Sequence, residues 1–283
     1  MIPLAFDYEV AESVDHAIEL LGQHGDEAKI LAGGHSLLPI MKLRLAAPTM
    51  LVDIGRISDL NYVRDEGDHI AIGALTRHAD VEHNDVLHEH CGLLSYTASL
   101  VGDPQVRHRG TIGGSLSHGD AASDLPSALL ALEGTLVLRG PNGERTVAAG
   151  DFFEDYLQTV LAPDEVLTEI RVPKLGPNTG WSYKKFNRRA QDWAVVGVAA
   201  VVEKSNGTIG AARIGLTNMG STPVRASAAE GALSGADASS VAEATSSADE
   251  GTSPSSDIAA SSEYRRHLAR VLTRRAVEEA LGR

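Results

Sequence analysis

The sequence contains a single cysteine, Cys91, among its 283 residues. One cysteine excludes a disulfide within the chain. It also excludes a cysteine-ligated iron–sulfur cluster held by this chain alone, because such clusters usually take four thiolates. A redox role for this protein would therefore depend on a bound organic cofactor, with any metal centre carried by another polypeptide.

Basic residues are outnumbered by acidic ones, and the formal net charge is −13. This balance argues against nucleic acid as a partner and against a polybasic membrane anchor, since both need a basic surface. No apolar run in the sequence reaches the length of a membrane span. The first residues, MIPLAFDYEV, carry acids where a signal peptide carries basic residues, so the sequence predicts a cytoplasmic protein without a transmembrane segment.

The hydrophobic pattern of the first 173 residues mixes helices and strands. Val14, Ala17, Ile18 and Leu21 recur at helical spacing before a glycine, which indicates an amphipathic helix. Short strands are predicted for AKILAGG, MLVDIGRI and HIAIGALT, and one long helix for residues 79–101. SALLALEGTLVLRG predicts a helix followed by a strand, and EVLTEIRVP predicts a further strand.

The pattern changes after Pro173, where LGPNTG marks a turn-rich break. Two strands follow, joined at Asn206-Gly207, which is a strong hairpin signal. Residues 226–262 are rich in Ser, Ala and Gly and predict loop or short helix. A last helix places Leu268, Val271, Leu272 and Leu281 on one side. We therefore expect an α+β domain to about residue 175 and a smaller α+β domain after it.

Two glycine pairs stand in similar surroundings, AGGHS at Ala32 and TIGGS at Thr111. Glycine has no Cβ, so its backbone can turn tightly and bring N–H groups close to a ligand. A run of such N–H groups makes a concave site for an anion, and a neighbouring serine adds a donor. Two such nests could hold a diphosphate from both sides, although either pair alone is more often a simple turn.

Neither a dinucleotide-binding GxGxxG fingerprint nor a Walker GxxxxGK[ST] loop occurs in the sequence. The residues by themselves therefore predict no more than a ligand that carries phosphate.

Three segments extend this interpretation: AGGHSLLPIMKLRLAAPTMLVDIGRI, RHRGTIGGSLSHGDAASDLP and KKFNRRAQDWAVVGVAA. With them the sequence resembles, over nearly its whole length, the FAD-binding medium subunits of the molybdenum hydroxylases, in particular those of aerobic carbon monoxide dehydrogenases. The resemblance implies a PCMH-type, vanillyl-alcohol-oxidase-like FAD-binding domain at 1–175, with subdomains of about 1–56 and 57–175. It implies a C-terminal domain of the carbon monoxide dehydrogenase flavoprotein type at 176–283.

The resemblance also implies which residues bind FAD, and it implies no catalytic or metal-ligating residue in this chain. The two glycine loops would cradle the diphosphate. The implied FAD-binding residues are Ala32, Gly33, Gly34, His35, Ser36, Thr111, Ile112, Gly113, Gly114, Ser115, Asp124, Leu161, Lys185 and Trp193.

Several of these residues have an equally ordinary alternative. Asp124 would suit ribose or ribityl hydroxyls, and it would also suit the N-cap of the helix that follows. Leu161 alone would be assigned to the core. The binding lysine falls on Lys184 or Lys185, of which we favour Lys185. Trp193 would lie near the isoalloxazine ring, where an aromatic side chain fits a subunit whose acceptor is not NAD, or it is an ordinary buried tryptophan.

Three other features carry no predicted site. His78, His83, His88 and His90 are spaced by five, five and two residues, which scatters them around a helix, so we expect a solvated helix and not a metal site. The RHR segment before the second glycine pair either lends positive charge to the diphosphate or forms salt bridges. Cys91 is expected to be a buried, unreactive thiol.

The resemblance implies a flavoprotein subunit that passes electrons from partner iron–sulfur clusters through FAD to a quinone or similar acceptor. Its partners would be a large subunit with the molybdenum-pterin cofactor, which oxidises carbon monoxide and water to carbon dioxide, and a small iron–sulfur subunit. The expected assembly is a dimer of such heterotrimers in the cytoplasm, able to contact the inner face of the cell membrane. Alternatives are the flavin subunit of a related hydroxylase acting on an N-heterocycle, aldehyde or aromatic thioester, and a non-catalytic nucleotide-binding scaffold. A self-sufficient flavin oxidase is disfavoured, because no set of acid–base residues for a substrate stands out.

Overall fold

The computed structural model describes residues 1–283. The first sheet is parallel with the strand order β1–β3–β2. Its strands are β1 (Asp7–Val10), β2 (Ala28–Leu31) and β3 (Met50–Asp53), with the helices α1 (Val14–His24) and α2 (Leu37–Lys42) between them. The predicted amphipathic helix is α1, which begins where the Ser13 hydroxyl accepts the His16 N–H at 3.1 Å and ends at Gly25 with φ of 55°.

The second sheet is antiparallel and has the order β4–β5–β10–β6–β7. Its strands are β4 (Val63–Asp65), β5 (His69–Gly73), β6 (Thr135–Gly140), β7 (Gly143–Ala148) and β10 (Val166–Pro173), and β8 (Phe153–Asp155) pairs separately with β9 (Gln158–Thr159). The helices of this part are α3 (His78–Glu82), α4 (Asp85–His90), α5 (Gly92–Ser99), α6 (Pro104–Arg107), α7 (Ile112–His118), α8 (Asp124–Ala131) and α9 (Ala149–Phe152). All of these helices except α6 contribute buried residues to a large apolar core, together with strands of this sheet.

The single helix predicted for residues 79–101 is wrong, because the chain forms α3, α4 and α5 there. The break before α4 is made by Asn84, whose side chain accepts the Leu87 N–H at 3.1 Å and so begins a new helix. The break before α5 lies at Cys91, whose φ of −149° and ψ of 54° leave the helical region. At the next residue, Gly92, a Cβ would come within 2.5 Å of the Trp181 ring. Packing against the third sheet therefore overrides the helical pattern.

The third sheet is antiparallel with the order β11–β12–β13–β14. Its strands are β11 (Thr179–Phe186), β12 (Val196–Ser205), β13 (Thr208–Thr217) and β14 (Val224–Arg225), followed by α10 (Ser227–Leu233), α11 (Val241–Ala244) and α12 (Ser262–Gly282). The predicted hairpin is present, and both Asn206 and Gly207 have positive φ, 51° and 84°, as a tight β-hairpin turn requires. No helix is long and apolar enough to cross a membrane.

The third sheet is buried on both faces. Alternate residues of β12, such as Val198 and Val202, pack with α12 in one core, while Ala199 and Val201 join the core that contains α5 and α8. Side chains alternate across a strand, so this sheet joins the last helix to the second sheet's layer of helices. Of the four residues predicted to share one side of the last helix, Leu268 and Leu272 are buried, and Val271 and Leu281 are half-buried.

Cys91 lies in the large core with no exposed surface, as predicted, and burial raises the pKa of its thiol to about 12. The reactive species is the thiolate, so the native protein should not react with an aromatic disulfide reagent at pH 8 over an hour. One thiol per chain should appear after unfolding in guanidinium. Rapid labelling of the native protein would show that the α4–α5 junction opens readily.

Candidate functional site

A cavity of about 610 Å³ opens where the three sheets come together. One wall is the loop after β2 with the start of α2. The opposite wall is the start of α7 and the segment after β9. Lys185 at the end of β11 and the loop up to Trp193 close the third side. The volume suits a large organic ligand, since pockets for such molecules measure roughly 300–1,000 Å³.

The first glycine loop presents unpaired donors to this cavity. The backbone N–H groups of Gly33, Gly34, His35 and Ser36 have no acceptor in the chain. Gly34 has φ of 76°, a conformation that favours glycine, and this turns the chain from β2 into α2. The loop therefore has free donors for an anion, and the nest expected from the sequence stays a prediction.

The second glycine motif is built differently, and the nest expected there is wrong. Thr111 is the N-cap of α7, so the motif is the first turn of a helix. Four of its five N–H groups are already donated: Ile112 to the Thr76 carbonyl at 2.9 Å, Gly113 to the Ala74 carbonyl at 2.9 Å, Gly114 to Thr111 Oγ1 at 3.2 Å and Ser115 to the Thr111 carbonyl at 3.0 Å. Only the Thr111 N–H has no acceptor in the chain. A Cβ on Gly113 would lie 2.6 Å from the Ala74 carbonyl oxygen, so this glycine permits close packing of α7 on the chain after β5.

The two glycine segments contact each other directly. A Cβ on Gly33 would lie 2.3 Å from the carbonyl oxygen of Arg109 and 2.9 Å from the Cα of Gly110. The second segment is held in turn by the Arg77–Thr111 bridge. The similar sequences thus have one structural role in common: each lets two backbone segments approach closely at the floor of the cavity.

Asp124 and Lys185 form a buried ion pair beside the cavity. Lys185 Nζ donates to Asp124 Oδ2 at 2.7 Å and to the Leu100 carbonyl at 2.9 Å, and both side chains are only 5–6% exposed. The Tyr183 hydroxyl donates to Asp124 Oδ1 at 2.9 Å. Burial raises the pKa of Asp124, and Lys185 and Tyr183 oppose this by stabilising the carboxylate. Asp124 is the first residue of α8, and the N-cap is Ser123, so the capping role considered for Asp124 is wrong.

Alternation along β11 separates the two candidate lysines. Lys184 points to the opposite side of the strand from Lys185 and pairs with Glu279 of α12. Only Lys185 lines the cavity. The register of one strand therefore places the favoured lysine at the site.

Comparison with known proteins agrees with this geometry. A family model described as the FAD binding domain in molybdopterin dehydrogenase matches residues 4–175, and a model described as the CO dehydrogenase flavoprotein C-terminal domain matches residues 181–280. The first match covers more than half of the chain. The chain belongs to this flavoprotein family.

The relatives cover the chain from end to end. It is 42% identical to the carbon monoxide dehydrogenase medium chain of Hydrogenophaga pseudoflava, over 100% of this chain and 99% of the relative. It is 39% identical to the 6-hydroxypseudooxynicotine dehydrogenase complex subunit alpha of Paenarthrobacter nicotinovorans, over 100% of this chain and 97% of the relative.

Solved structures give the same result. A chain of carbon monoxide dehydrogenase from Hydrogenophaga pseudoflava matches with a TM-score of 0.97 and 45% identity, covering 100% of this chain and 99% of that one. A chain of quinoline 2-oxidoreductase from Pseudomonas putida 86 matches with a TM-score of 0.94 and 33% identity, over the same shares. The predicted family, the α+β fold and the FAD-binding character of the chain are confirmed.

The cavity of this flavoprotein fits FAD by the chemistry of its walls. The unpaired N–H groups of the first loop suit a diphosphate. The hydroxyls of Ser36 and Ser115 also have no partner in the chain and can donate or accept. These are orphaned polar groups in a partly apolar cavity, which is the pattern of a site built around a large polar ligand.

Of the residues predicted to bind FAD, all but Ile112 line the cavity of the flavoprotein. The Ile112 side chain lies in the core at 1% exposure, so it has no surface to offer a ligand. Leu161 is half-buried at the wall, and Trp193 is 54% exposed at the mouth, so the alternative of a buried tryptophan is wrong. Arg107 is bound to Glu82 at 2.7 Å, which supports the salt-bridge interpretation of the RHR segment.

Sequence reasoning missed several residues that line this cavity, among them His78, Gly102, Gly110 and His118. His78 was expected on a solvated helix, and this expectation is wrong, because it is 4% exposed. Its burial follows from the contact between α3 and the second glycine segment, which no local pattern in the sequence reports.

Proposed function

We propose that this chain is the FAD-carrying electron-transfer subunit of a molybdenum-containing carbon monoxide dehydrogenase. The observation that carries the proposal is the cavity whose first glycine loop offers four unpaired N–H groups, in a chain that matches carbon monoxide dehydrogenase medium chains over its full length. The fold alone does not indicate which substrate the complex oxidises, since one fold serves many reactions.

Each wall of the cavity has a defined task in this proposal. The loop Ala32–Ser36 binds the diphosphate, and Thr111 with Gly113–Ser115 forms the facing wall. Asp124 and Lys185 bind hydroxyl or carbonyl groups, and Leu161 and Trp193 cover the ring system and limit its contact with water. When bound, FAD supplies a group that can take up two electrons and release them singly. The protein supplies binding, orientation and electrostatics.

The rest of the enzyme lies on other chains in this proposal. A large subunit holds the molybdenum-pterin cofactor and oxidises carbon monoxide and water to carbon dioxide, two protons and two electrons. A small subunit holds the iron–sulfur clusters, which the single cysteine here cannot bind. Two such heterotrimers form a dimer in the cytoplasm. The complex contacts the inner face of the membrane, where a quinone or similar acceptor takes the electrons.

A second candidate has an observation of its own. The 39% identity to the 6-hydroxypseudooxynicotine dehydrogenase subunit and the TM-score of 0.94 to quinoline 2-oxidoreductase extend over the whole chain. A flavin subunit does not touch the substrate of its complex, so a role beside an N-heterocycle or aldehyde hydroxylase uses the same cavity.

The proposal predicts that carbon monoxide bleaches the flavin absorption of the intact complex. The complex would be isolated without oxygen through a tag on this chain, and its spectrum recorded near 450 nm before and after addition of carbon monoxide. Nitrogen serves as the gas control, and dithionite then shows how much flavin can be reduced.

The outcomes of this experiment separate the candidates. Bleaching by carbon monoxide supports the proposed enzyme. Bleaching by nicotine, quinoline or an aldehyde, but not by carbon monoxide, would show that the subunit belongs to a related hydroxylase. A complex without a flavin band contradicts the cofactor assignment itself.

A further inference from the structure

His78 lies directly beneath the contact between the two glycine segments. It is the first residue of α3, and its N–H donates to the Gly110 carbonyl at 3.0 Å. A Cβ on Gly110 would lie 2.8 Å from His78 Cδ2 and 3.0 Å from Nε2, so this edge of the ring packs closely against that glycine. His78 lines the cavity although only 4% of it is exposed.

The two ring nitrogens of His78 have different surroundings. Nδ1 is fully buried and has no hydrogen-bond partner. Nε2 also has no partner in the chain, but it is not among the buried unpaired atoms, so the small exposed surface of the residue includes it. His78 lines the cavity, so of its two nitrogens Nε2 is the one with surface to offer a ligand there.

The ring is neutral at physiological pH. Burial lowers the pKa of His78 to about 4, with smaller contributions from His35 and Arg107. A neutral imidazole carries one proton, and a buried N–H without an acceptor is costly. The proton therefore resides on Nε2, where it can be donated into the cavity, and Nδ1 stays bare.

The groups around this nitrogen select an anionic acceptor. The loop segment Gly33–Ser36, which packs on Gly110 through Gly33, has four unpaired N–H donors on the same floor of the cavity. Neighbouring backbone donors without a local acceptor are a common means of binding phosphate oxygens. The Nε2–H of His78, which lies on α3, adds a fifth donor to these four.

We propose that His78 is a further FAD-binding residue, whose Nε2–H donates to the FAD diphosphate where the two glycine segments meet. The inference rests on the proposed FAD-binding function. It explains why a polar ring without any side-chain partner is buried under the second glycine segment. It also adds a donor beside the second glycine segment, whose own N–H groups are used internally except for that of Thr111.

The test is a titration of the full-length apo chain with FAD, followed by flavin fluorescence. His78→Ala and His78→Asn should each weaken FAD binding by about 10- to 100-fold, the loss of one hydrogen bond to a charged group. His78→Gln should recover most of the affinity, because a glutamine places its amide N–H near the position of Nε2, whereas asparagine places it near Nδ1. The same losses should appear with ADP and be absent with adenosine, which lacks the diphosphate.

Controls separate binding from folding. His83→Ala changes an exposed histidine near the end of α3 and should leave FAD affinity unchanged. Urea unfolding of each apo variant shows whether stability has changed. Equal losses with Ala, Asn and Gln, or an unchanged affinity of His78→Ala, would overturn the role of His78. Failure of the unaltered chain to bind FAD, alone or in its complex, would instead contradict the proposed function.

Discussion

A Gly33→Ala chain is expected to lose FAD affinity by about 10- to 100-fold, because the added methyl group cannot fit where the two glycine segments meet. Its Cβ would lie 2.3 Å from the Arg109 carbonyl oxygen and 2.9 Å from the Gly110 Cα. Both are backbone atoms, so no side-chain rotation relieves the contact. The segments must separate, which moves the first-loop N–H groups away from the ligand. The measurement is the dissociation constant of FAD for the full-length apo chain, with the flavin content of the purified complex as a second readout.

Gly22→Ala is the matched control for this substitution. Gly22 lies within α1, and a Cβ there meets nothing within 4 Å. Alanine should raise the free energy of unfolding by about 0.5–1 kcal/mol through its higher helix propensity, and FAD affinity should not change. Wild-type affinity in the Gly33→Ala chain would contradict the close packing of the two glycine segments.

Patterns in the sequence correctly predicted the features that depend on residues close together in the chain. The glycine stop of α1, the Asn206-Gly207 hairpin and the burial of Cys91 depend on neighbouring residues or on strong apolar context, and all three are confirmed. The first glycine loop also belongs here, because a glycine pair just after a strand favours a turn. In each case backbone geometry leaves few alternatives.

Contacts between distant segments could not be predicted in this way. The second glycine motif resembles the first in sequence, yet it is a helix start, because Thr111 caps α7 and Gly113 packs on Ala74. His78 is buried only because α3 meets the second glycine segment. Both outcomes depend on which segments meet after folding, and a single sequence contains no local signal of that.

The two neighbouring lysines of β11 show that the same limit of sequence-based prediction applies to a single position. Lys184 and Lys185 have the same chemistry, and only the pleat of β11 directs one to Glu279 and the other to Asp124. The resemblance to known flavoproteins narrowed the choice to two positions. The register of the strand decided which of them lies at the cavity.

Replacing Lys185 by methionine is expected to have the largest effect on stability, lowering the free energy of unfolding at pH 8 by about 3–5 kcal/mol. The substitution leaves the Asp124 carboxylate buried without its cation, with only the Tyr183 hydroxyl to stabilise the charge. Lys184→Met is the matched control, since its pair with Glu279 is part-exposed and should contribute no more than about 1 kcal/mol. Urea denaturation of the apo chains measures both changes.

The pH dependence of this loss tests its cause. Burial raises the pKa of Asp124, and removal of Lys185 takes away the strongest opposing interaction, so the folded variant binds a proton at higher pH than its unfolded chain. The stability of the variant therefore rises as pH falls through the folded pKa toward the unfolded value near 4, and the difference from the unaltered protein shrinks between pH 8 and pH 5. Asp124→Asn in the same chain removes the buried charge and should recover part of the loss at pH 8. A penalty that stays constant with pH and is not relieved by asparagine would mean that Lys185 stabilises the fold through its aliphatic contacts and not through its charge.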